Sequence, residues 1–495
     1  MRKKHLGISE MEEGRKSSSK RDEYEDETSS EYDEEEEEET SSLSSEEECR
    51  KKSKKKKKDK HHHKKSKHRY SSNSSGGVGL FIPVALSVSF AALVFWREII
   101  AFDAAVRSCS FPKPSGALSN NILRMAILAD ARVVDSGSMF RPFGVLSELR
   151  GDLHLRKVYR RLHEEHSPDV VVFLGDILDV GRRVADDTDP RSIGWSRLVS
   201  RWQTNFIPSS ITDAASAKTK PTSQPPLSER QRRPGKDYIL ISACGERDVG
   251  TAASDVPRRA ARFAESFGEL HAVTKAKDFD LVRICAPAML YGDAKQRGLA
   301  SKVLVGLNRS LRAAVAAGKP LARPRVLLTH VPLWKPPDSA PGCPGYSQMM
   351  NETITEDILG KVSPFVVISS GGSKACVASH HAAAQEHSVA KVSIVGSGTG
   401  SSFALVTLQI NPETKAASAE VATCSMPSHV LTFVLYGISG AVATVYTFFH
   451  TSASVKWKKK NVSKASLSTF SHMVLVLTVF TASQVLCALV EWNGQ

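Results

Sequence analysis

The chain has 495 residues, 67 Lys and Arg against 53 Asp and Glu, and a formal net charge of +14. Residues 1–75 hold 20 basic and 20 acidic side chains in long Ser, Glu, Lys and His runs with almost no large apolar groups, so they cannot bury enough surface to offset chain entropy. The net positive charge therefore belongs to the rest of the chain, which excludes a basic nucleic-acid-binding tail as the meaning of the pI, and no nucleic-acid partner is expected.

In chain order, 1–75 is expected to be a disordered acidic and basic tail: acidic from Asp22 to Glu48, then basic from Arg50 to Arg69. His61, His62, His63 and His68 lie in that flexible, Lys-rich context, where a solvated linker is the simpler reading than a metal site. Gly77 to Trp96 then gives 20 residues without a charge, the length a ~30 Å hydrocarbon layer needs at 1.5 Å per residue. Val430–Phe449 and Met473–Val490 repeat the pattern, separated by a loop rich in lysine from Lys456 to Lys464. Three transmembrane helices are expected, 77–96, 430–449 and 473–490, the last two as a hairpin around a cytosolic basic loop at 450–472. The positive-inside tendency puts the N-terminus and that loop in the cytosol. Residues 97–119 become a linker and 120–425 a lumenal domain. The sequons at Asn308 and Asn351 agree with this, as do the six cysteines among Cys109, Cys244, Cys285, Cys343, Cys376 and Cys424. Their pairing stays open, since six cysteines allow 15 connectivities.

Within 120–425, apolar runs stop abruptly at polar or Gly-rich turns. They are Ile122–Ala129 before Asp130, Val170–Leu174 before Gly175-Asp176, and Tyr238–Ile241 before Cys244-Gly245-Glu246. Val326–Leu328 precedes Thr329-His330, Phe365–Ile368 precedes Ser369-Ser370-Gly371-Gly372, and Val392–Val395 and Phe403–Ile410 follow. Continuous apolarity implies strands covered on both faces, and Leu153–Glu165 and Arg258–Phe267 carry helical patterns, so the class is α/β. Acidic and histidine side chains at successive strand ends mark where chemistry would sit. Gly396–Gly400 reads as a tight turn rather than a dinucleotide loop, because the next segment looks like a strand. His380, His381 and His387 read as loop residues rather than replacement ligands, and no G-x-S-x-G turn is present.

Asp130-Ala131-Arg132, Gly175-Asp176-Ile177-Leu178-Asp179, Gly245-Glu246-Arg247-Asp248, Thr329-His330-Val331-Pro332 and Ser370-Gly371-Gly372-Ser373-Lys374 occur in the order of five known motifs. They resemble the D-x-H, G-D-x-x-D, G-N-H-D, H-x-P and G-H-x-H motifs of calcineurin-like metallophosphoesterases, over residues 120–425. The first apolar stretch and Leu174–Gly181 look like the metallophosphoesterase 1 group, which removes ethanolamine phosphate from GPI anchors. The resemblance implies a sandwich of two sheets flanked by helices and a site with two divalent ions. It makes Asp130, Asp176, Arg247 and Asp248 the catalytic positions and Asp130, Asp176, Glu246 and His330 the metal ligands that match or replace the pattern. Three ligand positions fail: Arg132 stands for a histidine, and so do either Gly371 and Ser373 or Gly372 and Lys374. Arg247 stands where the family has its general-acid histidine. Arginine neither ligates metal nor gives up a proton near neutral pH, so a two-metal centre is not expected. One divalent ion, Mn or Zn, held by Asp176, Glu246 and His330 is the reduced alternative.

Arg132, Arg247 and Lys374 are then expected to take over the charge the ions carry and to hold phosphate, because a guanidinium binds it bidentately. That makes the chain a catalytically impaired, membrane-anchored relative in the endoplasmic reticulum or Golgi, with the lipid bilayer and a GPI-anchored protein or phosphorylated glycolipid as partners. The alternatives are an active phosphoesterase on GPI-anchor ethanolamine phosphate, and a structural membrane protein working through its tail.

Overall fold

A computed structural model describes residues 78–114, 121–135, 143–180, 193–207, 231–233, 236–319, 323–336, 349–372, 374–380, 384–394 and 400–454. The chain divides into two units, Met1–Ser72 and Asn73–Gln495, and every described residue belongs to the second. The expected disordered tail, the turn at 396–399, the cytosolic loop beyond residue 454 and the stretch 473–490 lie outside the described residues.

The main domain is built on two six-stranded sheets. In the first the order is β14 (Ala417–Ser425), β13 (Ser402–Ile410), β1 (Leu123–Ala129), β3 (Val170–Leu174), β6 (Lys236–Ala243) and β5 (Gln231–Arg233). In the second it is β11 (Cys376–Ser379), β12 (Gln385–Ala390), β10 (Val366–Gly372), β9 (Arg325–Thr329), β8 (Phe279–Ile284) and β7 (Ala272–Ala276). A two-stranded ribbon joins β2 (Val133–Val134) to β4 (Leu178–Asp179).

Between the sheets, one face of the central strands supplies a shared core that includes Met125, Ile127, Val172, Leu174, Leu281, Val326, Leu328, Ile368 and Val406. Helices close the outer faces. On the first sheet α3 (Phe143–His166), α4 (Ile193–Phe206) and α6 (Val256–Phe267) bury Leu155, Leu162, Trp195, Trp202, Phe263 and Phe267. On the second, α8 (Ala294–Ala316) and α9 (Glu352–Val362) bury Leu304, Ile358 and Val362 against Val282 and Leu327. Each sheet is thus apolar on both faces, which is why its central strands read as unbroken apolar runs. Two short helices, α5 (Glu246–Val249) and α7 (Ala286–Leu290), follow β6 and β8.

Strand direction places the site. β1, β3 and β6 run parallel, as do β8, β9, β10 and β12, so the residues after their last positions collect on one edge of both sheets. The expected strand at Val392–Val395 is corrected: the strand is Gln385–Ala390, whose polar sequence QEHSVA hides it, and Lys391 only bridges to Ala129.

Two disulfides tie the domain, Cys109–Cys424 and Cys244–Cys285, and Cys376 is also disulfide-bonded. The expected spans at 77–96 and 430–449 fold as α1 (Val78–Phe95) and α10 (His429–Ser454), which pack through Val94, Phe90 and Tyr436. Among the described residues no helix is long and apolar enough to cross a membrane, so the expectation of three spans is not supported there. α1 ends after 18 residues, about 27 Å at 1.5 Å per residue, where a π-helical turn (Trp96–Ile100) brings in Arg97 and Glu98. α10 mixes Gly, Ser, Thr and Tyr among its apolar residues. A second short helix, α2 (Ala101–Ser108), follows the π turn.

Candidate functional site: a strand-end carboxylate cluster bridged by arginine

The turn after β1 puts Asp130 and Arg132 in the left-handed region, at φ 51° and 50°, and the turn after β3 does the same to Gly175 and Asp176, at 74° and 47°. A non-glycine residue held there costs on the order of 1–2 kcal/mol, so three such residues at one edge mark a place where surrounding structure imposes conformation. The two turns are hydrogen-bonded in register: Asp130 N–H donates to the Gly175 carbonyl (3.2 Å) and Arg132 N–H to the Asp176 carbonyl (2.9 Å). Two glycines permit the close approach. A Cβ on Gly175 would lie 2.4 Å from His330 Cγ, and one on Gly245 would lie 2.1 Å from the Asp176 nitrogen.

These turns gather Asp130, Asp176 and His330, all buried, with one potential ligand atom each within 4.8 Å of the others. His330 Nδ1 bonds the Leu174 carbonyl at 2.9 Å, which leaves Nε2 facing Asp176 Oδ1 at 3.4 Å. Ser370, on the bulged end of β10, donates its hydroxyl to Asp130 Oδ2 at 2.5 Å. The Arg247 backbone N–H donates to Asp176 Oδ1 at 2.9 Å.

The guanidinium of Arg132 closes the cluster. Its Nη2 lies 3.0 Å from Asp130 Oδ1 and 3.6 Å from Asp176 Oδ2, and the side chain is only 16% exposed. Arg247 stands further out, 46% exposed, with Nη1 2.6 Å from Asp179 Oδ1 and Nε 3.5 Å from Asp176 Oδ2. Burial opposes ionisation of Asp130, but His330 and Arg132 outweigh it and hold its pKa below the ordinary value. At Asp176 burial prevails, with Asp130 adding to it against His330, and the pKa is raised. Burial works against the His330 imidazolium, yet Asp176 and Asp130 hold its pKa above the usual histidine value. The geometry is that of a cation set between two carboxylates, with the His330 ring on the other side.

The remaining sequence-designated positions fall in three places. Glu246 stands outside the three-donor group; burial is the main cause of its raised pKa, with His330 opposing. Asp248 is fully buried and braces the site, accepting from the Ile177, Leu178 and Gly245 N–H groups at 3.2, 2.9 and 2.9 Å. Burial, then Asp176, pushes it up to about 7. Lys374 is exposed; the ion pairs to the buried carboxylates come from Arg132 and Arg247 instead. Sequence reasoning did not assign Ser370 or Lys391 a role. Lys391, buried after β12, has its pKa lowered by burial and then by Arg132, with Asp130 opposing, which puts a further cation in the same field. Its signal was missing because the strand before it is polar. His380 is buried against Glu386 (Nε2 to Oε2, 2.8 Å), and His387 lies opposite Ile368 on the second sheet, so neither joins the three-donor group; His381 lies outside the described residues.

Asp130, Asp176 and His330 are a chemically suitable set for one divalent ion with an open position. The Asp130–Asp176 edge that a second ion would face carries the Arg132 guanidinium.

The domain is a mixed α/β arrangement of two sheets covered by helices, with acids and a histidine at the C-terminal ends of parallel strands of both sheets. No family model matches the chain. Over 310 residues it is 25% identical to cell division control protein 1 of Saccharomyces cerevisiae, a stretch making 58% of this chain and 54% of that protein, so the match spans about half the length of the curated relative. Among solved structures it is similar to a dimetal phosphatase from Danio rerio, at 12% identity and a TM-score of 0.36 over 62% of this chain and 99% of that one. It is also similar to the vacuolar protein sorting 29 of Cryptosporidium parvum, at 8% identity and a TM-score of 0.25 over 61% and 98%.

Proposed function

We propose that this chain is a phosphoesterase-fold protein that holds a phosphorylated group at its strand-end site without cleaving it. The observation that carries this is the Arg132 guanidinium lying between Asp130 and Asp176, in the place where the resemblance expects a metal-binding histidine. A fixed cation there neutralises the buried carboxylates, which need such a partner. Arg247, nearly half exposed, still presents guanidinium N–H groups at the rim, and guanidinium matches phosphate geometry. Hydrolysis in this fold class needs a polarising ion and a proton donor near the leaving oxygen, and Arg247 cannot give up a proton there.

The ligand proposed is a phosphorylated glycolipid or protein of the kind GPI anchors carry, a reading that rests on the sequence resemblance. The location proposed is the endoplasmic reticulum or Golgi, with the apolar stretches holding the protein at the membrane, the N-terminus cytosolic and the main domain lumenal. The two disulfides support it, since such bonds persist in oxidising compartments. Protection of the main domain from added protease in sealed microsomes is expected; its digestion there would count against the topology.

A second reading, an active phosphoesterase with one ion, is favoured by the three clustered donors. Hydrolysis of a generic phosphodiester by the full chain with Mn²⁺, abolished by Asp176→Ala, would establish it against the first. Phosphate binding without turnover, weakened by Arg247→Gln, is the result the first reading expects.

A further inference from the structure

The sequons Asn308-Arg309-Ser310 and Asn351-Glu352-Thr353 both lie in the main domain, and the fold presents them differently. An asparagine accepts a glycan where its amide nitrogen is reachable and its backbone belongs to a surface loop. Asn351 meets both conditions. It stands in extended backbone, at φ −74° and ψ 160°, directly before α9. Its Oδ1 accepts the Ile354 N–H at 2.8 Å, and its carbonyl accepts the Thr355 N–H at 3.0 Å. The carboxamide is planar, with oxygen and nitrogen on opposite sides of Cγ, so holding Oδ1 against the helix turns Nδ2 away from it. Among the described residues Nδ2 has no hydrogen-bond partner, and Asn351, Glu352 and Thr353 are all exposed. A sugar attached through Nδ2 leaves Oδ1 where it is, so the cap survives the modification.

Asn308 fails both conditions. It lies inside the 23-residue α8, half-buried, one turn after the buried Leu304 and directly after the buried Leu307. The hydroxyl of its sequon is also engaged: Ser310 Oγ donates to the Leu307 carbonyl at 2.8 Å and accepts from the buried Arg325 guanidinium, which ties α8 to β9. This helix carries its own start signal. Asp293 accepts the Gln296 N–H at 2.9 Å and Gln296 Oε1 accepts the Asp293 N–H at 3.1 Å, a reciprocal capping box. A helix specified so locally forms on the order of a microsecond, far faster than an enzyme turns over, so a transferase meets Asn308 in a helix and Asn351 in a loop.

We propose that Asn351, and not Asn308, carries an N-linked glycan, an inference that rests on the proposed lumenal placement of the main domain. The donor is an oligosaccharide carried on a lipid diphosphate. The bond from Nδ2 to the anomeric carbon forms as the bond from that carbon to the diphosphate oxygen breaks. The lipid diphosphate leaves with the electron pair, and Nδ2 gives one of its two protons to a basic group of the transferase. Two further sequons, Asn73-Ser74-Ser75 and Asn461-Val462-Ser463, fall in the segments expected on the cytosolic side and take no glycan. Met350, next to Asn351, donates its N–H to the carbonyl of Pro332, two residues beyond His330, at 3.0 Å. The glycan therefore stands at the same strand-end edge as the carboxylate cluster, on the side of the second sheet.

The full chain is expressed in cells with a secretory pathway, and its gel mobility is compared before and after peptide N-glycosidase, which releases the glycan and turns its asparagine into aspartate. One glycosidase-sensitive step is expected, with the conversion found at Asn351 by mass spectrometry. Asn351→Asp keeps an acceptor oxygen for the Ile354 N–H and should lose the step. Thr353→Ala, which leaves the cap untouched, should lose it too, whereas Thr353→Ser and Asn308→Gln should keep it. A step that survives Asn351→Asp, or one lost with Asn308→Gln, would overturn the proposal. Ala252→Asn, which completes a sequon with Ser254 in an exposed turn before α6, separates this inference from the topology. If that variant gains a step while the parent chain shows none, Asn351 is not the site and the lumenal placement stands. If neither shows one, both fail.

Discussion

Replacing Arg132 by Gln removes the cation from between Asp130 and Asp176 and leaves a neutral side chain of similar length. Both carboxylates are buried, and breaking a buried pair by deleting one partner costs about 3–5 kcal/mol. The low end applies, because Arg132 is partly exposed and because His330 and the Ser370 hydroxyl still face the carboxylates. A loss of about 3 kcal/mol lowers Tm by about 5 °C for a domain of this size, at roughly 2.1 cal/mol/K of unfolding entropy per residue. Thermal unfolding of the full chain in chelator, followed by fluorescence, measures it. The same substitution uncovers the edge of the Asp130, Asp176 and His330 donors, so Mn²⁺ should return much of the lost stability to Arg132→Gln and little to the parent chain. An unchanged Tm in chelator, or equal Mn²⁺ stabilisation of both proteins, would refute the claim that arginine does the ion's electrostatic work.

Other perturbations separate the scaffold from the charges. Gly245→Ala forces a Cβ to within 2.1 Å of the Asp176 nitrogen and should cost on the order of 2–3 kcal/mol and abolish phosphate binding, measured by calorimetric titration and unfolding. Removing Cys244–Cys285, which spans 41 residues and anchors the turn that carries Gly245, by the paired Cys244→Ser and Cys285→Ser change should lower stability by about 4 kcal/mol on the loop-entropy scale, read from unfolding against the parent chain. His271 supplies a pH dependence away from the site. Burial, with Arg283 adding to it, lowers its pKa to about 4, and its Nδ1 accepts the Cys285 N–H, so the folded state needs the neutral ring. The unfolded chain binds that proton first, so the stability is whole above pH ~6.5 and is lost as pH falls toward 4, by about 3 kcal/mol. His271→Gln should flatten that part of the Tm-versus-pH curve.

Much of the first sheet was legible because its central strands are buried on both faces: Val170–Leu174 matches the observed strand residue for residue, and Ile122–Ala129 matches within one. β7, β8 and β14 were not, since AVTKA, FDLVRI and ASAEVATCS mix polar residues into strands that lie at or next to a sheet edge. At the site, order and spacing pointed to Asp130, Asp176, Arg132, Arg247 and His330, which the structure brings near one another, because each stands directly after a readable strand or close beyond one. What spacing could not give was direction. Glu246 stands second in the third motif yet stays outside the donor group, Asp248 turns inward to brace three backbone N–H groups, and Ser370, one residue before the glycines of the fifth motif, reaches Asp130 across the gap between the sheets. Lys391 depends on a strand with no apolar signature, so nothing local announced it.

Metal stoichiometry bears on the central claim most directly. The full chain is equilibrated with Mn²⁺ or Zn²⁺, freed of unbound ion, and its metal content and its turnover of a phosphodiester are measured on the same sample. With Arg132 between Asp130 and Asp176, no tightly held ion pair and no turnover are expected, while phosphate still binds. A pair of ions retained by each chain, with hydrolysis, would contradict the account.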